Sequence, residues 1–178
     1  MKVRLFSVLP LRGVTAGALR ALCLSACVVL TACSGGTARD ADARTQVPRW
    51  KPGVTAADVG GRMHVRIPAE ATDRRAAHQN GFQDDGLLLA FTVPTARVGA
   101  FLRGLAPEQE LAHRAEPLAE TVKPMTPFAH LGLKEPETLA DVRGGPVCAP
   151  CAGELNSLEV AVHPVDAQHS RVYLRGVD

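Results

Sequence analysis

The chain has 178 residues with 20 Lys+Arg against 18 Asp+Glu, a formal net charge of +2, and only 4% aromatic residues. That balance leaves no basic stripe with interleaved aromatics, so the footprint of nucleic-acid binding is missing. The charge is also unevenly placed. Lys2, Arg4, Arg12 and Arg20 lie in the first 32 residues, which hold no acid, so the remainder carries a net charge of −2.

Those first residues read as a secretory signal. A basic stretch is followed by the uncharged run 21–30, then by the small residues Thr31 and Ala32. The apolar run falls well short of the ~20 residues that an ordinary membrane helix needs. Leu30-Thr31-Ala32-Cys33 resembles the lipobox of bacterial lipoproteins. In that family the Cys thiol is diacylated, the signal is cut just before it, and the Cys becomes the first residue. Leu24-Ser25-Ala26-Cys27 has a similar pattern. Cleavage there would leave about six apolar residues after Arg20, below the ~7–15 of a signal core. Cys33 is therefore the expected lipidation site and residues 1–32 the expected signal peptide. A diacylglyceryl group carries two acyl chains, enough for stable membrane attachment without a transmembrane helix.

Residues 33–54 have the composition of a flexible tether, with Ser34-Gly35-Gly36-Thr37, Pro48, Pro52 and Gly53. Trp50, the only Trp, is expected to pack on the adjoining domain. Residues 55–178 are long enough for one domain with a modest core. Of the five cysteines, Cys23 and Cys27 leave with the signal and Cys33 takes the lipid. Cys148 and Cys151 remain, and two cysteines in an oxidising compartment usually pair.

Along the domain, Arg62-Met63-His64-Val65-Arg66-Ile67 alternates and predicts a strand ending at Pro68. Residues 73–78 read as a second strand or, since Arg74-Arg75-Ala76-Ala77 is equally helical by propensity, as a helix, with turns at Asn80-Gly81 and Asp84-Asp85-Gly86. Residues 87–93, Leu-Leu-Leu-Ala-Phe-Thr-Val, predict a strand buried on both faces and closed by Pro94. Thr95 then serves as the expected N-cap of a helix bearing Val98, Phe101, Leu102 and Leu105 at helical spacing. Residues 106–135 are broken by prolines, with a helical turn expected over 108–113. A short helix is expected from Pro136 through Asp141, with Leu139 and Val142 on one side. Residues 158–162 and 172–174 alternate as the arms of a hairpin joined by the polar stretch 164–170. These elements predict an α+β fold: a small antiparallel sheet with one or two helices packed on one face.

The lipobox, Ile67-Pro68-Ala69-Glu70-Ala71, Gly81-Phe82-Gln83-Asp84-Asp85, Leu89-Ala90-Phe91, Ala100-Phe101-Leu102 and Val172-Tyr173-Leu174 together resemble a group of small lipoproteins from high-GC Gram-positive bacteria. The resemblance covers most of the mature chain. The group has no assigned activity, so the resemblance implies an address and a shape but no reaction.

One motif could carry chemistry. Cys148-Ala149-Pro150-Cys151 is similar to the Cys-Gly-Pro-Cys of thioredoxins, in which a helix N-terminus lowers the pKa of the first thiol. Its surroundings depart from that family. Residues 140–147 do not read as a buried strand, Val147 stands where the usual Trp would be, and Gly153 disfavours a long helix after the pair. A plain disulfide is the preferred reading, and a redox-active pair is the alternative. Metal ligation by Cys148 and Cys151 with His163 or His169, or by Met125 with His130, lacks the usual spacing, so no metal is expected. Asp84 and Asp85 are expected in a solvated turn. Neither a Gly-x-Ser-x-Gly elbow nor a phosphate-cradling loop occurs, and no cofactor is expected. The function expected from sequence is a lipid-anchored, non-enzymatic interaction module on the extracytoplasmic face of the cell membrane. Its partners would be the membrane, through Cys33, and an envelope protein or cell-wall component.

Overall fold

In the computed structural model, residues 48–118, 123–153 and 155–178 are described. The signal, Cys33 and the tether up to residue 47 lie outside the described residues. Seven strands form one sheet: β1 (Arg49–Trp50), β2 (Thr72–Asn80), β3 (Gly86–Pro94), β4 (Ala112–Arg114), β5 (Val142–Cys148), β6 (Ser157–Pro164) and β7 (His169–Val177). Their order is β1-β2-β3-β7-β6-β5-β4, and every neighbouring pair is antiparallel. Among the described residues two α-helices, α1 (Ala56–Arg62) and α2 (Thr95–Leu105), accompany the sheet. The expected mixture of antiparallel sheet and helices is present, but the sheet is not small.

The buried run in β3 organises both faces. Successive strand residues point to opposite sides. Leu87, Leu89, Phe91 and Val93 join Val59 of α1 and Val98 and Phe101 of α2 in one core. Phe91 meets Phe101 edge-on, with ring centroids 5.3 Å apart. Leu88 and Ala90 face the other way, into a second core with Phe128, Leu133 and Tyr173. No long helix covers this side among the described residues. It is closed by a segment holding two 3-10 turns, Phe128–Leu131 and Pro136–Thr138. Three arginines fasten that segment to the sheet. Arg75 donates to the Leu131 carbonyl at 2.8 Å, and Arg114 donates to those of Leu139 at 2.8 Å and Pro136 at 2.6 Å. Arg175 pairs with Glu135 at 3.1 Å and Glu137 at 2.9 Å.

Several local expectations are corrected. Residues 62–67 form no strand; Arg62 ends α1, which starts from a capping box in which Thr55 Oγ1 accepts from Asp58 N–H and Asp58 accepts from Thr55 N–H. The alternation of residues 62–67 does report burial, because Met63 and Val65 are buried while His64 and Arg66 are exposed. His64, at φ 55°, interrupts any ladder. Thr95 is not an N-cap. It lies inside α2, and its hydroxyl bonds to Ser170 Oγ at 3.0 Å. Residues 108–113 run beside β5 instead of turning as a helix: Glu108 N–H donates to Val147 O at 3.0 Å, and Ala112 lies opposite Gly144. The helix from Pro136 is a single 3-10 turn ending at Thr138, and Asp141, at φ 52°, redirects the chain into β5. The expected tether reaches the sheet before residue 54. Arg49 and Trp50 pair with Asn80 and Gln79, and the Trp50 ring stacks on His130 with centroids 3.8 Å apart.

Candidate functional site

Cys148 closes β5, opposite Leu158 of β6, and is joined by a disulfide to Cys151 with a Cα–Cα distance of 4.9 Å. Contrary to the sequence expectation, residues 142–148 are a strand, with Val142 and Val147 buried. Among the described residues no helix starts at the cysteine pair. Cys151 N–H donates to the Leu155 carbonyl at 3.1 Å, closing a short loop. Neither sulfur therefore stands at a helix N-terminus, the feature that lowers a thiol pKa in thioredoxins.

The disulfide forms part of the wall of a cleft of about 890 Å³. Segment 63–70 bounds it on one side, α2 on another and the disulfide loop on the third. Its lining is mostly apolar, with Ile67, Phe101, Leu105, Val147 and Leu158 among the contributors, and Arg66, Glu70 and Arg97 add charge. Glu70 is paired with Arg97. Its own backbone N–H, and then the Arg97 guanidinium, hold its carboxyl below the usual range. An apolar hollow with a few charged groups is the usual form of a ligand seat.

A second concentration of charge lies where the N-terminal chain meets the sheet. The His78 ring is only 4% exposed. Its Nε2 lies 2.6 Å from Asp85 Oδ2 and 3.0 Å from Lys51 Nζ, and Arg62 Nη1 lies 3.1 Å from the same nitrogen. Arg62 also reaches Asp178 at 3.6 Å. Burial works to raise the Asp85 pKa, but hydrogen bonds from His78 and from Gly81 N–H, with the charges of His78 and Lys51, outweigh it and leave the pKa lowered. No hydroxyl or thiol is hydrogen-bonded to His78 among the described residues. The cluster thus has a base and an orienting acid but no attached nucleophile, and a triad mechanism needs all three. Sequence reasoning passed over this group because its members come from five separate segments.

The remaining sequence candidates do not converge. Asp84 accepts from Asn156 at 3.0 Å while Asp85 turns inward, so the adjacent carboxylates separate. His163 bonds to the Ala140 carbonyl and His169 to Asp166. Met125 is exposed, while His130 is engaged with Trp50. Among the described residues no three His, Cys, Asp or Glu side chains are grouped to hold a metal ion. No described helix is long and apolar enough to cross a membrane. A smaller hollow of about 280 Å³ opens on the opposite face, beside Tyr173, Phe128 and Arg175.

Comparison with known proteins finds no matching family model, no matching curated protein and no matching solved structure.

Proposed function

We propose that this chain is a lipid-anchored extracytoplasmic protein whose domain binds an envelope component in the cleft between α2 and the disulfide loop, without chemistry of its own. The observation that carries the reading is Leu30-Thr31-Ala32-Cys33 behind a basic and then apolar segment. The resemblance to small lipoproteins of high-GC Gram-positive bacteria supports the same address. A disulfide between the only two cysteines left after processing suits an oxidising compartment. The apolar cleft supports the binding half of the reading.

The anchor is tested by metabolic labelling with a radioactive fatty acid. Cys33→Ala is expected to abolish labelling and release the protein from the membrane; retained labelling would move the site to Cys27. The cleft is tested by filling it. Gly104 lines it and has open space where a side chain would begin. Gly104→Trp is expected to abolish retention of an envelope component on the immobilised protein, while Val165→Trp, at an exposed position outside the cleft lining, leaves it intact. Equal retention by both variants would rule the cleft out.

A thiol-disulfide protein is the second reading, favoured by one observation: both cysteines line the cleft, within reach of a substrate seated there.

A further inference from the structure

The N-terminal chain joins the sheet at one end, and that end carries the two most exposed large apolar side chains among the described residues. Phe82 is 69% exposed and Met125 is 87% exposed. Arg49, where the described chain enters the sheet, lies opposite Asn80, and Phe82 comes two residues after Asn80 in the β2–β3 turn. Met125 reaches the same end from another direction. Its neighbour Thr126 fills the space above Gly86, the first residue of β3, where a Cβ would collide with the Thr126 methyl.

The turn is held, and its two acids are already engaged. Gly81 N–H donates to Asp85 at 3.2 Å, Asp84 accepts from Asn156 at 3.0 Å, and Asp85 and Asp178 exchange backbone hydrogen bonds of 3.0 Å. The acids are tied back to the fold while the Phe82 ring faces outward. Arg49 is exposed beside it. An aromatic ring, a thioether and an adjacent cation are the side chains that suit the boundary between headgroups and acyl chains.

Where the chain enters supplies the occupant. Cys33 is 16 residues before Arg49. Such a length spans at most about 55 Å when fully extended, and about 22 Å as a random coil. The opposite end of the sheet, where Pro94 pairs with His169, is eight residue steps away along β3, or about 27 Å. The coil length is shorter than this span, so a lipid at Cys33 favours the Phe82 end as the nearer one to the bilayer.

We infer that the β2–β3 turn, with Phe82 and the neighbouring Met125, docks the domain onto the outer surface of the membrane that holds its lipid. The inference rests on the lipid-anchored reading. Acids and bases are both present at this end, so attachment depends on the apolar side chains more than on anionic lipid.

The test uses the full-length lipidated protein reconstituted on phosphatidylcholine vesicles with brominated acyl chains, which quench a nearby indole. Phe82→Trp and Val165→Trp place an indole at exposed positions on opposite ends of the sheet, and the Trp50 contribution is subtracted from the unmodified protein. Quenching at position 82 is expected to be at least about twofold stronger than at position 165, as for a ring at the headgroup–acyl boundary compared with one in water. Equal quenching at both positions, or stronger quenching at 165, would overturn the docking while vesicle flotation left the anchor standing. Failure of the unmodified protein to float would instead defeat the anchored reading, and the docking with it.

Discussion

Arg175 ties the face of the sheet away from α1 and α2 to the segment that covers it. Its guanidinium lies over the Phe128 ring at 5.1 Å and pairs with Glu135 and Glu137, both largely buried. Removing one partner of a buried pair leaves an uncompensated charge, so Arg175→Met is expected to destabilise the domain by about 3–5 kcal/mol. Urea denaturation measures this. Among the described residues Glu137 Oε2 and Arg175 Nε have no hydrogen-bond partner, so replacing all three charged residues with apolar ones should recover much of that loss. Asp85 gives a pH signature. Its carboxyl is lowered in the fold, so its stabilisation is present above the unfolded pKa and is lost as pH falls through the folded value. Asp85→Asn is expected to cost about 1–3 kcal/mol at neutral pH and to flatten the acid limb of a stability–pH curve. Tyr173, the only Tyr, has its phenol raised chiefly by burial. Absorbance titration at alkaline pH should show its midpoint above the ordinary value of 10.0. None of this was legible in the sequence, because Arg175 meets carboxylates 38 and 40 positions away.

Elements were legible in proportion to their apolar periodicity. β3 announces itself by an unbroken run of eight buried residues, Gly86–Val93, and β6 and β7 by alternation. β4 and β5 do not, since Arg143-Gly144-Gly145-Pro146 has neither β-branched residues nor alternation. That stretch is a strand because β6 offers it a ladder and Leu111 packs on Gly145, both tertiary facts. α1 did leave a trace in Thr55-x-x-Asp58, but Gly60-Gly61 hid the helical propensity. Thr55→Ala is expected to cost about 1 kcal/mol, measured by denaturation. The disulfide was legible as a pairing and only half legible in context. With no helix N-terminus behind it, the Cys148–Cys151 bond is expected to have a reduction potential below about −300 mV, typical of structural bonds. Equilibration with a thiol redox buffer checks this, and a value near those of exchange catalysts would restore the second reading. Cys148→Ala with Cys151→Ala should cost about 2 kcal/mol, as expected for so short a loop.

For the whole molecule, the sequence suggested sheet plus helices but underestimated the sheet, because three of its strands, β1, β4 and β5, lack a pattern. The cleft was not visible at all: its walls come from segment 63–70, α2 and the disulfide loop, which no local periodicity brings together. The strand order has a further consequence. β7 is the last strand in the chain, yet it lies between β3 and β6 at the centre of the sheet. The half built on β1, β2 and β3 and the half built on β4, β5 and β6 share no strand pairing until residues 169–177 arrive. Such non-local closure is slow, since distant segments must meet before their contacts can form. For a polypeptide threaded across a membrane as an unfolded chain, a delayed keystone is useful. On the proposed extracytoplasmic reading, the sheet could not close while its central strand was in transit, and the chain would stay threadable until residues 169–177 had crossed.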